Sequence, residues 1–177
     1  QDLSVISADP SIIYGSMQSI PGIYRGSEYG STWQFLEAYG HIFESIAADP
    51  FTPGRVFDTE NTNICRSDDW GETWPEPFTC PNLEVLDVYM DCANAVEVLR
   101  VHPETEGVML AGVFHWCGVE FHDADGSIYY FDNGEQKWKR ASTPDGMQVV
   151  WDLAFDTVDP LIAYAGTNDG FYRSEDA

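Results

Sequence analysis

The chain has 177 residues, with 30 Asp and Glu against 8 Lys and Arg, and its formal net charge at pH 7 is −22. This charge excludes nucleic-acid binding, because a protein that grips phosphates needs a basic patch, and it excludes attraction to an anionic membrane surface. Since 44% of the residues are apolar and 14% are aromatic, the chain can bury a core and is not disordered.

The N-terminal part of the chain predicts four short strands separated by Pro, Gly, Ser and Asp. The apolar runs are Leu3–Ser7, Ile12–Gly15, Gly22–Arg25 and Thr32–Leu36. Short apolar runs bounded by turn residues are typical of antiparallel strands. No apolar run approaches the roughly 20 residues of a membrane helix, so membrane insertion is not expected.

The same order of phrases recurs along the chain. A phrase ending in Asp-Pro or a relative of it stands at residues 8–10, 48–50, 101–103 and 158–160, and a second phrase follows at 23–26, 64–67, 129–131 and 171–174. Repeats of about 40 residues with four antiparallel strands are typical of propeller blades, whereas a β-sandwich requires no recurring phrase. We therefore predict an all-β fold, a β-propeller with four-stranded antiparallel blades at about residues 1–40, 41–93, 94–146 and 147–177.

One stretch of the second repeat carries a specific motif. Ser67-Asp68-Asp69-Trp70-Gly71-Glu72-Thr73-Trp74 matches the pattern S-x-D-x-G-x-T-W in full and resembles the Asp box, or BNR repeat. Two partial copies retain Gly30, Thr32 and Trp33 in the first repeat and Ser174 and Asp176 in the fourth. The third copy, over residues 131–138, is degenerate.

The resemblance implies a β-propeller and a structural role for the motif. Asp69 is expected to accept backbone N–H bonds within the turn, and Gly71 to take a positive φ. Ser67 and Thr73 are expected to bond across the hairpin, while Trp74 packs as an anchor. The alternative is that Asp69 is a catalytic acid.

Two insertions interrupt the repeat, at residues 81–95 and 114–126. If the strands of each blade run A, B, C and D, both insertions emerge opposite the Asp-box turns, on neighbouring blades. Added loops on one face of a repeat scaffold mark the binding side. Each insertion holds a cysteine, which predicts disulfides Cys92–Cys117 and Cys65–Cys80, although four cysteines allow three pairings. Disulfides indicate an oxidising compartment, so a secreted or cell-surface protein is expected.

The second insertion gathers the candidate ligand-binding residues. These are His115, Trp116, Glu120, His122, Asp123 and Asp125. Imidazole and carboxylate groups suit zinc or another transition ion. The run from Asp123 to Gly126 resembles the start of a loop that binds Ca²⁺, but it lacks the distal bidentate Glu. Trp116 offers an aromatic face to a sugar. The alternative is a solvated turn with Asp125-Gly126 at its tip. The residues do not identify a metal, and no organic cofactor is predicted.

Propellers with Asp boxes resemble sialidases, xyloglucan-degrading glucanases, the receptor domain of sortilin and a photosystem assembly factor, so the family resemblance leaves the activity open. A sialidase needs an arginine cluster for its carboxylate substrate, but Arg55, Arg100 and Arg140 are scattered over different repeats. We therefore predict a non-catalytic extracellular propeller that binds protein or carbohydrate, or forms a subunit of a larger surface assembly. The alternative is a polysaccharide-active glycoside hydrolase of the xyloglucanase type, which needs a pair of carboxylates.

The fourth repeat lacks material for its last strand, so the sequence supplies about 3.75 blades of a ring that has at least about four. One expectation is that the chain belongs to a larger ring. The other is that the unpaired edge of the fourth blade pairs with another chain and supports self-association.

Overall fold

A computed structural model describes residues 2–5, 9, 11–17, 22–37, 43–75, 93–116, 125–144, 146–147, 149–159 and 161–176. These residues form β-strands and turns, with no helix among them, which confirms the all-β prediction. In chain order the strands are β1 (Asp2–Val5), β2 (Ile13–Met17), β3 (Gly22–Ser27), β4 (Thr32–Glu37), β5 (Phe43–Ala48), β6 (Val56–Glu60), β7 (Asn63–Ser67), β8 (Ala93–Val101), β9 (Met109–Trp116), β10 (Asp125–Asp132), β11 (Lys137–Arg140), β12 (Val150–Phe155), β13 (Ala163–Thr167) and β14 (Gly170–Ser174).

The strands form four antiparallel sheets in which neighbours in the sheet are neighbours in the chain. The orders are β1-β2-β3-β4, β5-β6-β7, β8-β9-β10-β11 and β12-β13-β14. We call the strands of each sheet A, B, C and D in chain order. The chain divides into two compact units, residues 1–82 and 83–177, and each unit holds two of the sheets.

In the first unit, the sheets β1–β4 and β5–β7 share an apolar core. Its buried members are Tyr14, Ile23, Ile46, Ala48 and Val56, and Ile12, Leu36, Trp70 and Trp74 pack against them. Alternation along the strands places every second side chain on this face. The core therefore holds the second sheet against one face of the first.

The second unit repeats this arrangement with sheets β8–β11 and β12–β14. Its core consists of Val98, Leu110, Met147, Val150, Leu153, Ala163 and Ala165, with Ile128, Phe155 and Tyr172 packed against them. The sheets approach closely at Gly112, where an added Cβ would lie 2.7 Å from Val150 Cγ1 of the following sheet and 2.6 Å from Val98 Cγ1 of the adjacent strand β8. Only glycine fits at this point, because such distances are far below van der Waals contact.

The A–B loops close with the same backbone bond in all four sheets. In each loop a backbone amide donates to the carbonyl three residues earlier. The bonds are Ile12 to Asp9, Arg55 to Thr52, Val108 to Thr105 and Ile162 to Asp159. Asp9 and Asp159 therefore stand at the end of their loops, whereas Asp49 and His102 stand three residues earlier, at the start. The Asp-Pro phrases are recurrent, but they do not occupy equivalent positions.

A second hydrogen-bond pattern is found at the start of three of these loops. Asp49 Oδ1 accepts the amide of Phe51 at 2.8 Å, and Asp156 Oδ1 accepts the amides of Val158 and Asp159 at 2.8 and 3.0 Å. In the third sheet His102 Nδ1 takes this role and accepts the amides of Glu104 and Thr105 at 3.1 and 2.9 Å. Since each acceptor satisfies amides at the start of its loop, His102 has a structural role.

Candidate functional site

The turn over residues 67–74 is closed by the side chain of Asp69. Its Oδ1 accepts the Ser67 hydroxyl at 2.7 Å and the Thr73 amide at 2.9 Å, and its Oδ2 accepts the Thr73 hydroxyl at 2.6 Å. These bonds favour the ionised carboxylate and lower the pKa of Asp69 to about 2, with the Thr73 hydroxyl as the largest cause. Both carboxylate oxygens are thus engaged in holding the turn.

The backbone of this turn is left-handed at two consecutive residues. Trp70 has φ 66° and Gly71 has φ 79°, and the Gly71 amide donates to Ser67 Oγ at 3.0 Å. The Trp74 indole N–H donates to the Gly71 carbonyl at 3.1 Å. Gly71 takes a positive φ without the steric penalty of a side chain.

Within the first unit, the sheet β1–β4 grips this turn. The Tyr14 hydroxyl and Arg25 Nη1 donate to the Trp70 carbonyl at 3.2 and 2.9 Å, and Arg25 Nη2 lies 2.6 Å from Glu72 Oε1. Burial is the main reason that the pKa of Tyr14 rises to about 12, so its hydroxyl remains a donor. The turn is thus a point of attachment between two sheets.

The partial copies of the motif keep part of this geometry. Ser174 Oγ donates to Asp176 Oδ1 at 2.5 Å, as Ser67 does to Asp69. In the first sheet Tyr29 and Gly30 are left-handed with φ 58° and 82°.

Hydroxyl and aromatic contacts complete the first of these turns. Ser27 Oγ lies 2.6 Å from Thr32 Oγ1, and the Trp33 ring covers Gly26, where an added Cβ would approach it to 3.2 Å.

The third sheet closes its C–D turn differently. Asp132 Oδ1 accepts the amides of Gly134 and Glu135 at 2.9 and 3.0 Å, and Lys139 Nζ lies 2.5 Å from Asp132 Oδ2. This Asx-type turn needs no Ser or Thr hydroxyl, which explains why the motif is unrecognisable there.

The structure describes the backbone of part of the predicted ligand-binding insertion. His115 and Asp125 occupy directly paired positions of β9 and β10, and Trp116 pairs with Ala93 of β8. Glu120, His122 and Asp123 lie outside the described residues. The ligand set therefore stays a prediction, with two of its members at one register position.

The hairpin that carries this insertion is longer than its counterparts. The B–C hairpins of the second and fourth sheets end in two-residue turns at residues 61–62 and 168–169, after the pairs Glu60–Asn63 and Thr167–Gly170. The equivalent pair in the third sheet is Val113–Ser127, and two more pairs follow it before the strands separate. Strands β9 and β10 thus extend beyond the common hairpin length.

Of the four cysteines, Cys65 lies buried in β7 at a position paired with Asp58 of β6. Cys80, Cys92 and Cys117 lie outside the described residues. The predicted pairings Cys92–Cys117 and Cys65–Cys80 therefore stay predictions.

One acidic residue was not singled out from the sequence. The ladder between β8 and β9 shifts register between Val96 and Val98, which places Glu97 at a β-bulge. Burial raises the pKa of its carboxyl. Bulges often lie beside functional sites, but a single Glu in the apolar run Ala95–Leu99 gives no sign of one in the sequence.

No group of three His, Cys, Asp or Glu side chains able to hold a metal ion is found among the described residues. That part of the chain also contains no helix long and apolar enough to span a membrane.

No protein-family model and no curated protein sequence matches this chain. Its structure is similar to that of an ancestral GH74 enzyme, with TM-score 0.70 and 16% identity over 99% of this chain and 22% of that chain. It is also similar to a chain of the nidogen/laminin complex, with TM-score 0.67 and 15% identity over 94% of this chain and 56% of that chain. A luciferin-regenerating enzyme matches with TM-score 0.66 and 14% identity over 92% of this chain and 50% of that chain.

These likenesses confirm the predicted fold class. The antiparallel sheets are of the β-propeller type. The chain spans 22% to 56% of the length of these three propellers. Because they include both enzymes and a protein of a binding complex, the fold does not select an activity.

Proposed function

We propose that this chain is a non-catalytic extracellular binding propeller whose ligand contacts the extended β9–β10 hairpin. The observation that carries the proposal is the length of this hairpin, which continues for two residue pairs beyond Val113–Ser127. The hairpins of the second and fourth sheets turn back at the equivalent pair. Scaffold loops that project beyond their neighbours are the usual carriers of binding residues.

The ligand that suits this hairpin is a neutral polysaccharide. A net charge of −22 repels anionic ligands through the field of the whole protein. The insertion supplies Trp116, an aromatic ring that can stack on a sugar, and carboxylate and imidazole groups that can bond its hydroxyls. A disulfide Cys92–Cys117 would tie the insertion to the segment before β8 and hold these groups in place.

We further propose that residues 67–74 form an Asp box with a structural role, and that 26–33 and 174–177 are its partial copies. The support is the engagement of both Asp69 oxygens by Ser67 and Thr73. A carboxylate held in this way is poorly suited to move a proton, because its low pKa keeps it ionised. The disulfides that we propose are typical of an oxidising compartment, so we propose that the protein is secreted or lies at the cell surface.

Exchange of the insertion tests the ligand site. In the variant, residues 114–126 are replaced by the two-residue turn Asn-Asp found at 168–169, and Cys92→Ser removes the second thiol. We expect an unchanged fold by circular dichroism, because the equivalent hairpins close at this length. Affinity electrophoresis against a panel of neutral β-glucans should show retardation of the original protein and at least about tenfold weaker retardation of the variant.

The matched control replaces the C–D turn residues Glu135 and Gln136 with alanine on the opposite end of the same sheet. This variant should be retarded like the original protein. Retardation that survives the exchange, or none for the original protein on any glucan, contradicts the proposed ligand site.

A glycoside hydrolase is the second candidate, and Glu97 is the observation that favours it. A carboxyl whose pKa is raised by burial is the type of group that acts as a general acid in glycoside hydrolysis. The hydrolase proposal predicts release of reducing sugar from β-glucans, reduced by at least about a hundredfold in Glu97→Gln. Equal release by both proteins, or no release by either, would leave Glu97 without a catalytic role.

The same substitution has an effect on stability that does not depend on catalysis. Since burial disfavours the ionised form of Glu97 and raises its pKa, the stability contributed by the protonated form is lost as the pH rises through that pKa. Glu97→Gln should therefore raise the melting temperature at pH 7 and change it little at pH 4. A lower melting temperature at pH 7 would mean that the carboxylate makes a stabilising contact.

A further inference from the structure

The sheet β12–β14 packs only one of its faces in the described structure of the second unit. Leu153, Ala163 and Ala165 lie in the shared core. The opposite face carries Tyr164, Phe171 and Arg173. Phe171 is 72% exposed and stacks on the Tyr164 ring with centroids 5.5 Å apart. We call this face the open face.

The residues of the open face have equivalents on another sheet that are packed. Tyr164 pairs with Arg173 and Gly166 with Phe171, just as Tyr14 pairs with Arg25 and Ser16 with Ile23. Ile23 is 1% exposed and belongs to the core that joins β1–β4 to the following sheet. The position filled by Phe171 is thus an apolar contact point between consecutive sheets.

The glycines of the repeat show the same contrast. Gly112 pairs with Ile128 in the third sheet, and a Cβ on Gly112 would meet Val150 of the following sheet. Gly166 stands at the equivalent position of the fourth sheet, and a Cβ there would have nothing within 4 Å. The open face has the chemistry of a face that receives another sheet, without its neighbour.

The first sheet presents the type of turn that such a face grips. Tyr29 and Gly30 repeat the left-handed conformation of Trp70 and Gly71, with φ 58° and 82° against 66° and 79°. The Tyr29 amide donates to the Ser11 carbonyl at 3.1 Å, as the Trp70 amide does to the Gly54 carbonyl at 2.8 Å.

This turn is accessible in the described structure. Tyr29 is 75% exposed, and the side chains of Trp33 and Phe35 beside it are each about half exposed. Trp33, Phe35 and the turn at 28–31 together form what we call the receiving face.

We infer that the open face of one copy of the chain binds the receiving face of a second copy. Tyr164 and Arg173 donate to the Tyr29 carbonyl, as Tyr14 and Arg25 donate to that of Trp70. Phe171 packs on the aromatic receiving face. On binding, Tyr164 loses its hydrogen bond to Asp156 Oδ2, and Arg173 loses its ion pair with Glu175. This ion pair is exposed, and exposed ion pairs contribute little to stability.

The resulting contact joins two different faces and is therefore head-to-tail. Such contacts give closed rings when the rotation closes and open chains when it does not. The described residues of two copies carry eight sheets in total, which lies within the range of about four to eight blades for closed propellers. This inference concerns assembly and is independent of the ligand proposed for the β9–β10 hairpin.

Two variants test the contact from its two sides. Phe171→Glu places a charge on the open face, and Phe35→Glu places one on the receiving face. Light scattering after size exclusion, over about a hundredfold range of concentration, should show the original protein shifting to a multiple of its monomer mass. Each variant alone should associate at least about tenfold more weakly.

Mixing the two variants distinguishes a head-to-tail contact from a symmetric one. An equimolar mixture contains one intact open face and one intact receiving face, so it should form dimers although each variant alone is monomeric. A symmetric contact would place a charge in every pairing and would not be rescued.

Controls separate the contact from folding and from added charge. Val158→Glu adds the same charge at a site that is 90% exposed in the A–B loop of the fourth sheet, and it should associate like the original protein. Gly166→Leu, which meets no atom of its own chain within 4 Å at the Cβ, should fold normally and lose association. A monomeric original protein at all concentrations, or a mixture without dimers, overturns the proposal.

Discussion

Replacing Gly112 with alanine is expected to lower the free energy of unfolding by about 3 kcal/mol. The new Cβ would lie 2.6 Å from Val98 Cγ1, 2.7 Å from Val150 Cγ1 and 2.9 Å from Val150 Cβ. All three atoms belong to β-branched side chains with little rotational freedom, and Val150 is fully buried. Relief of the clash requires Val98 on the neighbouring strand β8 to shift and β12 to move away from β9. Urea denaturation followed by tryptophan fluorescence measures the loss.

Gly166→Ala is the matched control for this effect, because Gly166 holds the equivalent position in the next sheet. Its Cβ would have no neighbour within 4 Å, and the change in the free energy of unfolding should stay within about 0.5 kcal/mol. A similar loss in both variants would mean that the close approach of β9 and β12 is not the cause.

The second large effect is expected at Asp69. Asp69→Ala removes the acceptor of the Ser67 hydroxyl and of the Thr73 amide and hydroxyl, and should lower the free energy of unfolding by about 2 kcal/mol. Glu135→Ala in the turn of the third sheet is the control, since its pairs with Lys137 and Lys139 are exposed ion pairs. A loss of less than about 0.5 kcal/mol is expected there.

The lowered pKa of Asp69 also predicts how the stabilisation by its carboxylate changes with pH. The pKa of Asp69 is lowered from 3.8 to about 2 in the folded protein, so the unfolded chain takes up the proton first as the pH falls. The stabilisation from the carboxylate is therefore complete above about pH 5 and is lost between about pH 4 and pH 2.

Urea denaturation from pH 7 down to pH 3 should show the original protein and Asp69→Ala converging. A constant difference over this range would show that the ionised carboxylate is not what stabilises the turn.

The sequence was sufficient to predict the fold because the repeat and its turn residues are local signals. Apolar runs bounded by Gly, Pro and Asp become antiparallel hairpins with little choice of alternative. The resemblance to the Asp box also predicted that the Asp69 carboxylate accepts backbone N–H bonds within the turn, and it accepts the amide of Thr73, four residues away.

Contacts between sheets could not be predicted in the same way. Arg25 binds the Trp70 carbonyl and Glu72, and no sequence pattern connects positions so far apart. The bulge at Glu97 depends on how β8 meets β9, and the register of the Asp-Pro phrases depends on how each loop closes. Of the candidate ligand-binding residues, the structure describes the backbone positions of His115, Trp116 and Asp125.

The A–B loops show which property has been retained as the repeats diverged. Asp49, His102 and Asp156 occupy equivalent positions in their loops. Each has one unprotonated atom that accepts hydrogen bonds from two nearby backbone amides, and the second of these bonds is long at Asp49. A carboxylate and a neutral imidazole are interchangeable there, provided that the imidazole proton resides on Nε2. The residue type at this position is therefore a poorer guide to the repeat than the presence of an acceptor atom that faces the loop amides.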